Sequence, residues 1–184
     1  MNHPDEDEWV RKAQAGDQGA FALLVEHYWD RLRRWLFCLT RKQHLAEDIT
    51  QEALARAWVG LRGLQAEETF RVWLFRIARN CLLDSRRGPR GNEPLPLANE
   101  VGSKQDEPLD ELLDREAHTL IQEALARLPD ANRTAYLLWT QEDMPYHEIA
   151  NVLGVSEKTA RWRVYKARQA LVKELQTYLD DELP

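Results

Sequence analysis

Residues Phe70–Arg87 have the sequence FRVWLFRIARNCLLDSRR, which is typical of an α-helix because it lacks Gly and Pro and is rich in Leu, Ala and Arg. Its apolar residues recur every three or four positions and so share one helix face: Phe70, Trp73, Leu74, Ile77 and Cys81. The segment has a single acid, Asp84, and five arginines, which are Arg71, Arg76, Arg79, Arg86 and Arg87. This pattern fits either a core helix with a solvated arginine face or a helix that binds nucleic acid, because arginines contact phosphates and aromatic rings stack on unpaired bases.

Charge is unevenly distributed along the chain. The net charge of −6 argues against a protein that coats nucleic acid unaided. Yet residues 31–90 contain 13 Lys and Arg against 6 Asp and Glu, whereas residues 91–130 contain 3 and 10. Residues 158–173 contain six basic residues and no acid. This segregation indicates contact with DNA at selected places, with the help of a partner.

Composition limits the class of protein. The chain has 184 residues, 43% of them hydrophobic, and seven Trp, enough for one ordinary domain or two small ones. Gly is scarce and no alternating strand pattern persists, so an all-α protein is predicted. The acidic start lacks the apolar core of a signal peptide, and no apolar run is long enough to cross a bilayer. We therefore expect a cytoplasmic protein with no membrane insertion.

Residue types that commonly catalyse reactions or bind metals are dispersed. Cys38 and Cys81 have no CxxC spacing and fall within helical apolar patterns, so buried free thiols are expected rather than a disulfide or a metal site. The five His form no HExxH motif, and there is no Gly-rich phosphate loop or nucleophile elbow. The sequence therefore predicts a protein that is not an enzyme, with no catalytic residue, no cofactor and no metal site.

Three further helices are predicted before Phe70. The first covers residues 5–15, with acids at its start where the helix dipole favours them. The second, Gln18–Thr40, is expected to turn its apolar residues inward: Phe21, Leu24, Val25, Tyr28, Leu32, Trp35, Leu36 and Leu39. Its arginines Arg31, Arg33 and Arg34 are expected to face water or a phosphate. The third covers residues 45–61, and Thr69 is expected to cap the Phe70 helix.

The character of the sequence changes at Gly88. Residues 88–108 contain four prolines and three glycines without helical periodicity, which is typical of a linker or a plain spacer. Periodicity resumes at Leu109; Pro129 marks a boundary, and Asp130 is expected to cap a helix over residues 131–140. We therefore predict two small helical domains, residues 1–87 and 114–184, joined by a flexible linker over residues 88–113.

Residues 144–175 have the pattern of a helix-turn-helix. Pro145 opens a short helix, YHEIANVL, Gly154 supplies a turn, and Ser156 caps a long helix. Apolar residues are spaced so that the two helices pack together: Ile149, Ala150, Leu153, Val155, Ala160, Val164 and Leu171. In such motifs the second helix enters the major groove of DNA. The alternative is a structural helical hairpin with a basic surface.

Taken in order, these segments resemble the extracytoplasmic-function (ECF) group of bacterial RNA polymerase sigma factors over nearly the whole chain. AEDITQEALARAW resembles the group's AED-x-x-QE segment, and FRVWLFRIARNCLLDSRR resembles its F-x-x-WL-x-x-IARN…D-x-x-R segment. The helix-turn-helix resembles the pattern S-x-x-T-V-x-S-R-x-x-R-A-R. Here Ala160 replaces the usual Val, Trp162 the usual Ser and Lys166 the usual Arg.

The resemblance implies three binding surfaces. The helix with AED-x-x-QE would dock on the coiled coil of the polymerase β′ subunit through Asp48, Gln51, Glu52, Arg56 and Trp58, although a solvated helix face is the alternative for the acids. The −10 element of the promoter would be bound by Phe70, Trp73, Arg76, Arg79, Asn80, Arg86 and Arg87, although Trp73 could equally be a core residue. The −35 element would be bound by Lys158, Thr159, Arg161, Trp162, Arg163, Tyr165 and Lys166.

The expected function is that of a sigma subunit, which directs core RNA polymerase to promoters and helps to open the −10 region. Its expected partners are the β′ and β subunits of core polymerase, promoter DNA and an anti-sigma protein. A second reading is a stand-alone regulator whose helix-turn-helix binds DNA while the N-terminal half senses a signal or dimerises. A sigma subunit should co-purify with polymerase and bind duplex promoter poorly alone, whereas a regulator should bind duplex DNA tightly without polymerase.

Overall fold

The structure is a computed structural model that describes residues 4–64, 69–87 and 120–182. Within these ranges all the regular elements are helical, in agreement with the predicted all-α class. The helices are α1 (Glu6–Gln14), α2 (Gln18–Thr40), α3 (Gln43–Gly60), α4 (Phe70–Arg87), α5 (residues 120–127), α6 (Asp130–Gln141), α7 (Tyr146–Leu153) and α8 (Glu157–Glu182). A short 3₁₀ turn, Leu61–Gly63, follows α3. The predicted linker, residues 88–113, lies outside the described residues.

Helices α1–α4 form the N-terminal unit, with α2 packed on α1 and α3, and α3 packed on α4. Asp17 caps α2 by accepting a hydrogen bond from the amide of Ala20 at 3.1 Å. The inward face predicted for α2 is confirmed, because six of its eight residues are buried and the other two, Phe21 and Val25, are half-buried. Trp35 and Phe75 meet edge to face, with 5.2 Å between their ring centroids, and join α2 to α4.

Helices α5–α8 form the C-terminal unit, in which α7 and α8 make the predicted helix-turn-helix. Gly154 ends α7 with φ of +63°, a left-handed conformation that costs glycine little. The Ser156 hydroxyl accepts a hydrogen bond from the amide of Thr159 at 3.2 Å, which is the predicted N-cap of α8. The expected cap at Asp130 is wrong: Pro129 holds the N-cap position, and the Asp130 carboxylate binds Arg86 and Arg133 instead.

The two units pack against each other along a surface that we call the seam, where α2 and α4 meet α6 and α7. Arg31 Nη2 lies 2.6 Å from Glu142 Oε2, and Arg71 pairs with Glu148 and donates to the carbonyl of Glu142 at 3.1 Å. The expectation that Arg31 faces water or a phosphate is therefore wrong, and Arg71 is buried rather than on an open arginine face. Their acidic partners lie 71–111 residues along the chain, beyond the reach of helical periodicity.

Candidate nucleic-acid and partner interfaces

Helix α8 presents a basic and aromatic face to solvent. Ala160, Val164, Ala167 and Leu171 are buried at spacings of three and four residues, which fixes the inner face of the helix. Residues on the opposite side are exposed, and they include Lys158, Trp162, Tyr165 and Lys166. Trp162 and Tyr165 are 54% and 53% exposed, so two large rings stand in water on the helix that is predicted to enter DNA.

The other predicted residues of α8 are less open. Arg161 is exposed, lies 3.3 Å from the Glu157 carboxylate, and stacks 5.1 Å from the ring centroid of Tyr146. Thr159 is half-buried and its hydroxyl is hydrogen-bonded to that of Ser156 at 2.8 Å. Arg163 is half-buried, and its charge acts on Arg79 of α4. Five of the seven residues predicted for the −35 element are therefore exposed, and two lie at the edge of that face.

Helix α4 exposes fewer of its predicted DNA-binding residues than α8 does. Trp73, Arg76, Asn80 and Arg87 recur at spacings of three, four and seven residues, so they share one side of the helix. Asn80 and Arg87 are exposed, while Trp73 and Arg76 are half-buried. The Trp73 ring packs over Gly60 so closely that a Cβ atom at Gly60 would lie 3.3 Å from it. Four of the seven residues predicted for the −10 element thus lie on one side of α4, with the exposed Asp84 between Asn80 and Arg87.

The remaining three predicted residues of α4 lie elsewhere. Phe70 is 3% exposed and contacts the rings of Tyr28 and Trp73, with centroids 5.5 and 5.9 Å away. Arg86 Nη1 lies 2.5 Å from Asp130 Oδ2 in the C-terminal unit. Burial, with the nearby charge of Arg163, lowers the pKa of Arg79. In this conformation Phe70 is therefore a core residue, Arg86 points into the seam, and Arg79 is half-buried.

The seam encloses a cluster of charged groups. Glu142 has a side chain only 3% exposed, and burial raises its pKa against the opposing charges of Arg31 and Arg71. Glu6 at the start of α1 is also buried, and desolvation raises its pKa against the same two arginines. These buried carboxylates supply the counter-charge for Arg31 and Arg71 inside the protein.

Helix α3 displays the surface predicted to bind polymerase. Asp48 and Glu52 are exposed and continue as one stripe with Ala55 and Val59, at spacings of four, three and four residues. Gln51 and Arg56 flank the stripe. Arg56 donates to Glu52 at 2.6 Å and to Asp84 of α4 at 3.2 Å, and so links α3 to α4. Trp58 is half-buried beside the stripe.

The sequence did not reveal the apolar part of this surface. Val59 is 82% exposed, the most open of the large hydrophobic side chains among the described residues. Phe21 and Trp58, with ring centroids 4.8 Å apart, border a groove of about 340 Å³ whose other lining residues are Gln18, Leu54 and Ala55. The sequence does hold a signal for this apolar surface. Ala55 and Val59 continue the helical spacing of Asp48 and Glu52, and so extend the acidic stripe by one apolar turn.

The described part of the chain has neither a candidate membrane span nor a candidate metal site. None of its helices is both long enough and apolar enough to cross a membrane. Across the same residues, no three His, Cys, Asp or Glu side chains converge as a set of metal ligands. Cys38 and Cys81 are buried free thiols, as predicted.

Comparison with known proteins agrees with this layout. The model of Sigma-70 region 2 matches residues 24–91, and the model of Sigma-70 region 4 matches residues 118–171. The ECF RNA polymerase sigma factor SigW of Bacillus subtilis is 30% identical, over 90% of this chain and 94% of the relative. The RNA polymerase sigma factor NccH of Alcaligenes xylosoxydans xylosoxydans is 32% identical, over 96% and 98%.

Two solved structures share the fold. One is CnrH in complex with the cytosolic domain of CnrY, with a TM-score of 0.71 and 24% identity over 92% of this chain and 96% of that one. The other is the sigma factor RpoE of Bartonella quintana in complex with the anti-sigma factor NepR, with a TM-score of 0.66 and 23% identity over 85% and 96%. Because both family models match in order and relatives of at least 30% identity align along nearly their whole length, the chain belongs to the ECF group of RNA polymerase sigma factors, the subunits that direct core polymerase to promoters.

Proposed function

We propose that each unit of the protein binds one promoter element, α4 the −10 element and α8 the −35 element, while α3 binds core polymerase. The observation that supports this division is that each unit has one basic helix with an open stripe of arginine, lysine and aromatic side chains. The protein acts by binding and has no chemical step of its own, because nucleotide polymerisation belongs to the polymerase. The domains extend over residues 1–87 and 114–184, with residues 88–113 as the linker.

At the −10 element, bases of one strand leave the duplex and are captured, at a cost of a few kcal/mol for each flipped base. Trp73 is placed to brace the last paired step, because its ring is supported by Gly60 and by Phe70 beneath it. Asn80 is exposed two turns further along the same side of α4, and its amide has the donors and the acceptor needed to read a base edge. Arg76 and Arg87 hold phosphates on the same side of α4.

At the −35 element, α8 enters the major groove of the duplex. Lys158, Arg161 and Lys166 supply the positive charge that offsets the phosphates. Residues 158–173 contain no acid, and the nearest one, Glu157, pairs with Arg161. Thr159 and Arg163 are half-buried at the edges of this face, where they are suited to the sugar-phosphate backbone rather than the base edges.

Polymerase docks on α3 through an acidic stripe and an apolar groove together. Asp48 and Glu52 give charge, and Val59 with the Phe21–Trp58 groove gives apolar area at the C-terminal end of the same stripe. The residues of the stripe are spaced by four, three and four positions, as in the contact face of a coiled coil. Such a face suits a helical partner, here the coiled coil of the β′ subunit. Val59→Arg should lower co-purification with core polymerase at least tenfold. Leu23→Arg, at an exposed apolar residue of α2, is the matched control and should leave it unchanged.

The two units must separate before both elements are bound. Promoter elements one to two helical turns apart are separated by roughly 35–70 Å along the DNA axis. In the structure α4 instead packs directly on α7, and packed helices lie only about 8–10 Å apart. A fully extended linker of 26 residues reaches roughly 85 Å, at about 3.3 Å per residue, so it allows this separation. Opening the seam also releases Arg86 from Asp130 for the DNA.

We propose that an anti-sigma protein keeps the subunit inactive by covering these surfaces in the cytoplasm. Two proteins of similar fold were solved in complexes: RpoE with the anti-sigma factor NepR, and CnrH with the cytosolic domain of CnrY. A pull-down from the native host under resting conditions should recover one protein besides the polymerase subunits. Recovery of polymerase alone under resting and stressed conditions would contradict this part of the proposal.

The overall proposal is tested with reconstituted core polymerase. The protein should co-purify with polymerase, and the mapped transcripts should start at positions that share two upstream sequence elements. Free protein should bind the same duplex promoters weakly. Nanomolar binding of the free protein to duplex DNA, without affinity for polymerase, would favour a stand-alone regulator and contradict the proposal.

A further inference from the structure

Trp162 lies on the exposed side of α8, at a position where the ECF group usually has Ser. It is the sixth residue of the helix, within the N-terminal part that contacts base edges in helix-turn-helix proteins. At about 100° per residue it lies directly opposite the buried stripe of Ala160, Val164, Ala167 and Leu171. The side chain opposite the packed face of a recognition helix reaches furthest into the groove.

The surroundings of Trp162 leave its ring free for an apolar contact with DNA. The side chain is 54% exposed, and Tyr165, one turn along the same face, is 53% exposed. The Tyr165 hydroxyl accepts a hydrogen bond from Gln169 Nε2 at 2.5 Å, which turns its polar end along the helix. Trp162 and Tyr165 thus form an apolar patch, and the basic side chains of Lys158 and Lys166 flank it.

The occupant that fits this patch is the thymine methyl group of a duplex. Indole has one hydrogen-bond donor and no acceptor, so it cannot make the bidentate contacts with which Arg reads guanine or Asn reads adenine. In the major groove the apolar feature of the four bases is the C5-methyl of thymine. The surrounding positive charge positions the phosphates, and the patch then lies against the base edges.

We infer that Trp162, assisted by Tyr165, makes the protein select −35 elements with thymine at the position facing the centre of α8, by apolar contact with the 5-methyl group. The inference rests on the proposed role of α8 as the −35 reader. It adds a chemical basis for the preference, which the positive charge of the helix does not supply. A Ser at this position, the usual residue of the group, would provide a hydroxyl and no ring.

The test uses holoenzyme reconstituted with the full-length protein. A promoter library with a randomised −35 region is first selected for binding, which gives the preferred element. Each thymine of that element is then replaced in turn by deoxyuridine, which removes the methyl group and keeps the base-pairing and hydrogen-bonding edges. Removal of the contacted methyl should weaken wild-type binding about three- to fourfold, the effect of one buried carbon group. A cytosine placed at the same position should gain binding when it is methylated at C5.

Variants of the protein show whether the indole ring of Trp162 causes the methyl effect. Trp162→Ala should bind thymine and deoxyuridine promoters equally and should lose the thymine preference in a repeated selection, while its melting temperature stays unchanged because the side chain is exposed. Val172→Ala, at another exposed apolar residue further along α8, is the matched control and should keep the full methyl effect.

Two outcomes would overturn the inference. One is wild-type holoenzyme that does not distinguish thymine from deoxyuridine at any position of the element. The other is an equal methyl effect in wild type and Trp162→Ala, which would assign the contact to another side chain. Arg161→Ala and Lys166→Ala separate this from the underlying proposal: if neither changes promoter binding, α8 is not the −35 reader at all.

Discussion

Helices α4 and α8 both have several arginines and large aromatic side chains, but their surroundings differ. On α8 the basic and aromatic residues opposite the packed face stand in solvent. Arg161 contacts Glu157 on its own helix and the Tyr146 ring. On α4, Arg71 and Arg86 are bound by carboxylates of the other unit. Charge on a helix therefore does not by itself show that the helix is available to DNA. The partner carboxylates determine which arginines are free, so α8 is ready to bind while part of α4 is not.

The largest effect is expected for the buried ion pair Arg71–Glu148 of the seam. Arg71→Ala should lower the free energy of unfolding by about 3 kcal/mol, because it leaves Glu148 and the Glu142 carbonyl without their buried partner. A double-mutant cycle with Glu148→Ala, measured by chemical denaturation, should give a coupling energy of at least about 1.5 kcal/mol.

The control for this cycle is the pair Arg161–Glu157 on α8, whose side chains are 65% and 52% exposed. Its coupling energy should stay below about 0.5 kcal/mol, the usual value for an exposed pair at this spacing. Equal coupling energies for the two pairs would remove the distinction between α4 and α8 and would show that charge does not hold the seam.

The second prediction tests the open face of α8. Arg161→Ala and Lys166→Ala should each weaken promoter-directed transcription by about 1–3 kcal/mol if they contact bases. If a residue contacts only a phosphate, its loss should weaken all promoters alike and reduce the dependence on salt. Transcription by reconstituted polymerase over a range of salt concentrations distinguishes the two. Variants that transcribe like wild type at raised salt would show that this helix is not the reader.

The third prediction concerns the open stripe of α4. Asn80→Ala should reduce −10 selectivity by about 1–2 kcal/mol, the range for one base contact. Because Asn80 is exposed, the change should leave the melting temperature almost unaltered. Transcription from a pre-melted template measures opening separately from base selection. A fall in helix content or melting temperature would instead give Asn80 a structural role.

The smallest effect is expected at the start of α8. Ser156→Ala removes the hydroxyl that accepts from the Thr159 amide, and should cost about 1 kcal/mol of stability. Ser156→Asp should retain the cap, since aspartate also accepts from this amide. Thermal unfolding of the three proteins measures the difference. A neutral Ser156→Ala would mean that packing alone positions the recognition helix.

The sequence was sufficient where the deciding interaction is local. The bounds of α2, the turn at Gly154 and the cap at Ser156 depend on residues within one helical turn, and all three were predicted. Phe70 is different, because its position on the apolar face of α4 also placed it in the core, where it contacts Tyr28. Local pattern alone therefore left its role open.

Long-range pairing could not be predicted. Arg31 and Arg71 have the spacing of surface arginines, and only the folded chain shows that Glu142 and Glu148 reach them. The same limit explains the error at Asp130, a residue type that favours N-caps but that is engaged here by Arg86 from α4 and Arg133 from its own helix. In each case the deciding partner is a charged side chain, a carboxylate for Arg31 and Arg71 and a guanidinium for Asp130. Its position depends on packing of the units or on side-chain placement within a helix.

The most direct test of the contrast between α4 and α8 is the distance between the two units. Fluorophores attached through unnatural amino acids at exposed positions 43 in α3 and 170 in α8 would report it, with the buried thiols of Cys38 and Cys81 left in place. We predict one short distance in the free protein and an increase of roughly 20 Å or more in holoenzyme bound to a promoter, because the two elements lie about 35–70 Å apart. An unchanged distance in a complex that initiates transcription would contradict the account, since α4 would then bind DNA with the seam still closed.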